Sequence, residues 1–142
     1  MKTFKLFLYC LTISIATSYT FVCVNHRFFH FKEQDINGEK PPGLVLIICI
    51  APLIETIIFQ YIMHHILVYI KIRNGWTQIV LMSLVFASFH LYSSFYMLMV
   101  FCSSIALNFF YIKTSKVNML LAVLLTALLH SLYNLFGYLF VV

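Results

Sequence analysis

Apolar residues dominate five long runs of the chain, and short polar stretches separate them. The runs cover about residues 4–24, 43–70, 76–91, 95–112 and 117–142. They are apolar on all sides rather than on one face, which is typical of helices surrounded by lipid. A helix needs about 20 apolar residues to cross the hydrocarbon core of a bilayer. The pattern therefore predicts about five transmembrane helices.

Composition supports the same fold class. The 142 residues are 63% hydrophobic and only 9% charged, whereas about 25% of the residues of a typical soluble domain are charged. A soluble core of this length cannot bury so much apolar surface. In lipid the backbone must satisfy its own hydrogen bonds, and a helix does so within one segment. We therefore predict an all-α, polytopic membrane helical bundle.

The basic residues of the loops predict the orientation. Short cytoplasmic loops carry an excess of lysine and arginine, and six basic residues against three place the N-terminus inside. The net charge of +5 is then a topology signal and a lipid anchor, and it does not indicate a nucleic-acid partner. Expected inside are Lys2, Lys5, Lys71, Arg73, Lys113 and Lys116, and expected outside are Arg27, Lys32 and Lys40.

Glu55 is the one acidic residue within the apolar runs, since the other acids fall together in residues 25–42. A charged side chain at the centre of a bilayer costs about 3 kcal/mol on insertion scales. Pro52, three residues earlier, removes a backbone donor and frees a carbonyl one turn before it. In a membrane a neighbouring group or water must satisfy that carbonyl. We therefore predict that Glu55 is the centre of the function.

Three further polar residues in later runs are predicted to gather around Glu55. They are His90, His130 and Asn134, and the last two are four residues apart, so they share one helix face. Buried polar groups need partners, and facing one another inside the bundle supplies them. Taken singly, each has a structural explanation: a histidine is often a core donor, and an asparagine often joins two helices.

Together these groups can perform hydrolysis. A carboxylate and an imidazole can activate a water molecule, and a second imidazole with an amide can stabilise an oxyanion. No serine or cysteine has an obvious base at a fixed spacing, so water is the simpler nucleophile. Two histidines and a glutamate with an open position are also typical of hydrolytic zinc sites. Spacing alone leaves both arrangements open.

Three motifs in this order resemble those of the CPBP intramembrane proteases, the CAAX protease and bacteriocin-processing family, also called Abi. Residues 51–60 read Ala-Pro-Leu-Ile-Glu-Thr-Ile-Ile-Phe-Gln, which is similar to the family's first motif of two glutamates, three residues and an arginine. Phe86 followed by His90 resembles the second motif, and His130 followed by Asn134 resembles the third. The likeness spans about residues 43–136.

The resemblance implies an intramembrane endopeptidase like the type II CAAX prenyl endopeptidases, acting on a membrane-associated protein or peptide. Glu55 and His90 would activate water, and His130 with Asn134 would form the oxyanion hole. The resemblance implies a glutamic mechanism without a cofactor, and a zinc ion on Glu55, His90 and His130 is the alternative. Residues 43–142 would be the protease core, and residues 1–42 an additional, uncleaved transmembrane helix with a polar loop. The supporting residues would be Thr56, Phe59, Gln60 and Phe86.

The first motif departs from the family at two positions. Thr56 replaces the second glutamate, and Gln60 replaces the arginine. The two positions are neighbours on one helix face, so a neutral pair that can still hydrogen-bond replaces an ion pair. This change leaves open a second function, that of a non-catalytic bacteriocin self-immunity or membrane-binding protein. The expected location of either is the cytoplasmic membrane of a prokaryote.

Overall fold

The computed structural model describes residues 2–30, 43–91 and 93–140, and within these ranges it is helical without any strand. We number five helices in chain order. Four of them are long and apolar enough to cross a membrane, and the fifth, α3, is shorter. The prediction of an all-α membrane bundle is confirmed. The helices are α1 (Lys2–Phe29), α2 (Leu46–Tyr69), α3 (Gly75–Ser88), α4 (Ser94–Ser115) and α5 (Met119–Phe140).

Two of the helix ends that differ from the sequence prediction have a visible local cause. The first helix continues as a π-helical turn over Asn25–Phe29 and ends at His30, whose φ is +53°. The third was predicted to reach residue 91 but ends at Ser88, where the N–H groups of Phe89 and His90 bond to carbonyls three residues back. Such tight bonds close the last turn of a helix. The rest of the predicted polar loop, residues 31–42, lies outside the described residues.

Side-chain caps fix the starts of the last three helices. Asn74 accepts a hydrogen bond from the Thr77 N–H at 3.0 Å before α3, and Ser93 accepts one from the Tyr96 N–H at 3.0 Å before α4. Asn118 accepts from the Leu121 N–H at 2.8 Å before α5. The first N–H groups of a helix lack acceptors within it. Short polar side chains such as those of asparagine and serine are the ones that best supply these acceptors.

Helix α4 lies at the centre of the bundle, in contact with α1, α3 and α5. The Phe7 ring of α1 packs edge-on against the Phe110 ring of α4, with 5.6 Å between ring centroids. The Ser14 hydroxyl donates to the Ser103 carbonyl at 3.2 Å, and Ser18 bonds to the Tyr133 hydroxyl of α5. Small polar residues of this kind join helices closely in membranes. Helix α1 is therefore packed into the bundle.

We expect Phe110→Ala to destabilise the protein strongly. Phe110 is fully buried, and removing a buried aromatic ring leaves a cavity that typically lowers the free energy of unfolding by about 3–5 kcal/mol. Leu98→Ala, at a residue of the same helix that is 49% exposed, should change it by less than about 0.5 kcal/mol. Unfolding in mixed detergent micelles measures both. Equal losses would mean that the centre of the bundle is not where the structure places it.

Candidate active site

Glu55 lies on α2 and faces His130 of α5. The Glu55 Oε2 and His130 Nε2 atoms are 3.5 Å apart. This separation is longer than a direct hydrogen bond, and catalytic contacts are often long until substrate binds. The Glu55 side chain is 28% exposed, whereas that of His130 is 5% exposed. The carboxylate therefore has one buried side against an imidazole and one open side.

Phe86 of α3 separates the two histidines. Its ring centroid lies 4.5 Å from that of His90 and 5.6 Å from that of His130. Phe59 of α2 meets the same ring edge-on at 5.3 Å. Edge-on contacts of this kind are favourable between aromatic rings. The two phenylalanines therefore form an apolar wall that fixes the distance between α2, α3 and α5 beside Glu55.

His90 follows the end of α3 and bonds back to that helix. Its Nδ1 atom lies 2.9 Å from the Phe86 carbonyl oxygen. A carbonyl only accepts, so Nδ1 carries the hydrogen, and Nε2 of the neutral ring keeps its lone pair. Among the described residues the carboxylate contact within 4.0 Å is made by His130. The structure therefore brings Glu55 and His130 into contact, and His90 joins them through Phe86.

Asn134 contacts α2 on the other side of Pro52. Its Nδ2 donates to the Ile47 carbonyl at 3.1 Å. The backbone is π-helical here, and the Ala51 N–H bonds to the Leu46 carbonyl, five residues earlier. The Ile47 carbonyl would accept from the next residue in this pattern, but that residue is Pro52, which has no N–H. Asn134 therefore satisfies a carbonyl that the proline leaves free.

Thr56 and Gln60 are both fully buried, but they do not bond to each other. Within the described part of the chain, neither Thr56 Oγ1 nor Gln60 Oε1 has a hydrogen-bond partner. Gln60 Nε2 instead donates to Asn108 Oδ1 of α4 at 3.1 Å, and Asn108 Nδ2 donates to Ser83 Oγ of α3 at 2.9 Å. The expected bond within the neutral pair is thus replaced by a bond between helices. Asn108 and Ser83 lie outside the three motifs, and their polar character within apolar runs is the one signal that the sequence carries for them.

Comparison with known proteins decides the family. The family model described as Type II CAAX prenyl endopeptidase Rce1-like matches residues 37–136, which is more than half of the chain. The chain belongs to the Rce1-like family. The match contains all three motifs, and the whole of α1 lies before it. Neither the curated proteins nor the solved structures include a match to the chain.

Family membership and the fold together establish the coarse character of the protein. It is an integral membrane protein of a CAAX protease-type family, as the resemblance of the three motifs implied. A family of this type acts on peptide substrates in a lipid bilayer. The division at residue 42 and the roles of the individual site residues stay predictions.

The described residues do not fit a zinc site with three protein ligands. Hydrolytic zinc sites hold the ion with three side chains and leave one position open. In residues 2–30, 43–91 and 93–140, no three histidine, cysteine, aspartate or glutamate side chains lie close enough to bind one ion. Glu55 and His130 are in contact, but His90 does not complete a set with them.

We expect the stability effect of Asn134→Leu to depend on Pro52. Leaving the half-buried Ile47 carbonyl without a donor should lower the free energy of unfolding by about 1 kcal/mol, the lower end of the cost of an unsatisfied group. In a Pro52→Ala background the backbone regains an N–H, so the same change should have less than half that effect. A double-mutant cycle measured by unfolding in detergent isolates the coupling. Equal effects in the two backgrounds would contradict the assignment of this bond.

Proposed function

We propose that this Rce1-like protein is an intramembrane endopeptidase of the CPBP type. It would hydrolyse a peptide bond of a membrane-associated protein or peptide with water activated by Glu55, without a cofactor. The observation that carries the proposal is the contact between the partly exposed Glu55 carboxylate and the buried His130 imidazole. Family membership supports this function in general. The proposed location is the cytoplasmic membrane of a prokaryote, with the N-terminus inside.

The water nucleophile would approach the open side of Glu55. The carboxylate takes one proton from the water, and the lone pair on His90 Nε2 accepts a hydrogen bond from the other hydrogen. The water oxygen then attacks the carbonyl carbon of the substrate. As the carbon–nitrogen bond breaks, Glu55 returns its proton to the leaving nitrogen. The products are a carboxylic acid and an amine. One hydrogen of the water ends on the amine, and the other stays on the oxygen that joins the carbonyl carbon.

His130 and Asn134 would stabilise the oxyanion of the tetrahedral intermediate. Once Glu55 is protonated it attracts the His130 Nε2–H less strongly, and the negative charge has moved to the substrate oxygen. A donor that strengthens its bond only at this stage lowers the barrier. The Asn134 amide has two N–H groups, and Ile47 accepts from one of them. The other is the donor that we assign to the oxyanion.

Glu55→Gln tests the proposal directly. Purified protein in liposomes should cleave a panel of membrane-associated peptides, and the variant should lose activity by about 10²–10⁴-fold, the usual contribution of a general base. Glu39→Gln makes the same chemical change in the predicted polar loop and should leave the rate unaltered. Equal activity of Glu55→Gln and the parent would overturn the proposal. A lasting loss with chelator that zinc reverses would favour the metal-dependent alternative.

A non-catalytic bacteriocin self-immunity or membrane-binding protein is the second candidate. Thr56 and Gln60 favour it, because these fully buried neutral residues stand where the family motif has a glutamate and an arginine. If this second function is correct, Glu55→Gln should protect cells against a bacteriocin as well as the parent protein does. Loss of protection in Glu55→Gln, together with loss of hydrolysis, would exclude it.

A further inference from the structure

A chain of buried hydrogen bonds joins α2 to two other helices near Glu55. Gln60 Nε2 donates to Asn108 Oδ1, and Asn108 Nδ2 donates to Ser83 Oγ. All three residues are fully buried. Bulk solvent therefore does not reach these bonds, and breaking either bond leaves a polar group unsatisfied in an apolar interior. These two hydrogen bonds hold α2, α4 and α3 together at the depth of Gln60 in the bundle.

Helix α2 depends on such bonds because it packs at the edge of the bundle. Around Glu55 most of its side chains are exposed, and its buried residues are few. An apolar side chain gains little from facing protein rather than lipid, so apolar packing fixes the rotation of α2 only weakly. The exposed neighbours of Glu55 include Leu53, Ile54, Ile57, Ile58, Tyr61 and Ile62.

Two polar contacts flank Glu55 along this helix. Before it, the Ile47 carbonyl accepts from Asn134 of α5, and after it, Gln60 donates to Asn108 of α4. The segment Thr56–Ile62, which begins directly after Glu55, is π-helical. A π-helical turn changes the face that later residues present, and such turns are frequent at functional sites. Glu55 therefore lies between two points at which polar contacts anchor α2 to other helices.

We propose that Asn108 is a positioning residue for Glu55 and acts through Gln60. It does not touch the reacting atoms. It holds the Gln60 amide, which fixes the rotation of α2 and keeps the Glu55 carboxylate against His130. The bond between helices then does the work of an ion pair within one helix. This inference rests on the proposed function, since it specifies how the proposed base is held.

Kinetics of four variants test the inference. Asn108→Leu and Gln60→Leu should each lower kcat by about 10- to 100-fold, the effect of misplacing a catalytic group by about 1 Å, with KM changed less than about twofold. Because both changes remove the bond between Gln60 and Asn108, the double variant should lose no more than the stronger single variant. Asn108→Asp in its neutral, protonated form keeps an acceptor for Gln60 Nε2 and a donor for Ser83 Oγ, and its kcat should stay near that of the parent.

Thr114→Val is the matched control. Thr114 is on the same helix, is 2% exposed, and its hydroxyl has no partner within the described residues. The change therefore perturbs a buried polar site of α4 without touching Gln60, and kcat per folded molecule should stay the same. Should Asn108→Leu behave like Thr114→Val, or should the two leucine changes multiply, the inference would be overturned.

A cross-linking measurement separates failure of the inference from failure of the proposed function. Glu55→Cys and His130→Cys, in a background with the native cysteines replaced, report the facing of α2 and α5 through a short bifunctional thiol reagent. Adding Asn108→Leu should lower the cross-linking yield severalfold, and adding Thr114→Val should not. An unchanged yield rejects the positioning role even if hydrolysis is found. A lowered yield supports it even if Glu55→Gln proves that the chain is no protease.

Discussion

The contact between Glu55 and His130 exists because a bilayer offers a carboxylate no other partner. Lipid cannot hydrogen-bond, so each polar group in the apolar segments must be satisfied within the bundle or at a hydrated opening. Glu55 has a partner within the bundle, since His130 lies against one side of it, and its other side is exposed. The same constraint accounts for Asn134, which satisfies the carbonyl that Pro52 leaves free. The site thus consists of two polar groups of α2, the Glu55 carboxylate and the Ile47 carbonyl, and the α5 side chains that satisfy them.

The sequence predicts the fold well because its signal is physical and local. Apolar runs of spanning length define the helices, and a single acid among them predicts which helix carries the candidate site. Partners across helices are a different matter. A spacing of four residues says that His130 and Asn134 share a face, but it does not say that one meets Glu55 and the other Ile47. Those choices depend on how α5 crosses α2, which no local pattern encodes.

The partner of Gln60 is a second contact between helices that the local sequence pattern does not predict. The spacing of Gln60 from Thr56 suggests a partner on its own helix, and the bond is instead made to Asn108 of α4. An arginine and a glutamate attract each other strongly across one helix turn, whereas a neutral amide bonds to whichever acceptor has the better geometry. Loss of the two charges therefore releases Gln60 to join another helix. The residue that completes this arrangement lies outside all three motifs.

The serines of α1 bear on how the bundle is assembled during synthesis. Ser14 and Ser18 bond to groups of α4 and α5, which leave the ribosome long after α1 has entered the membrane. Membrane helices insert first and associate afterwards, so α1 must wait in lipid with its hydroxyls bonded only to its own backbone. Its final place is available once Tyr133 has been translated. Closure of the bundle therefore follows the translation of α5, and a nascent chain stalled before Tyr133 would hold an inserted but unassembled first helix.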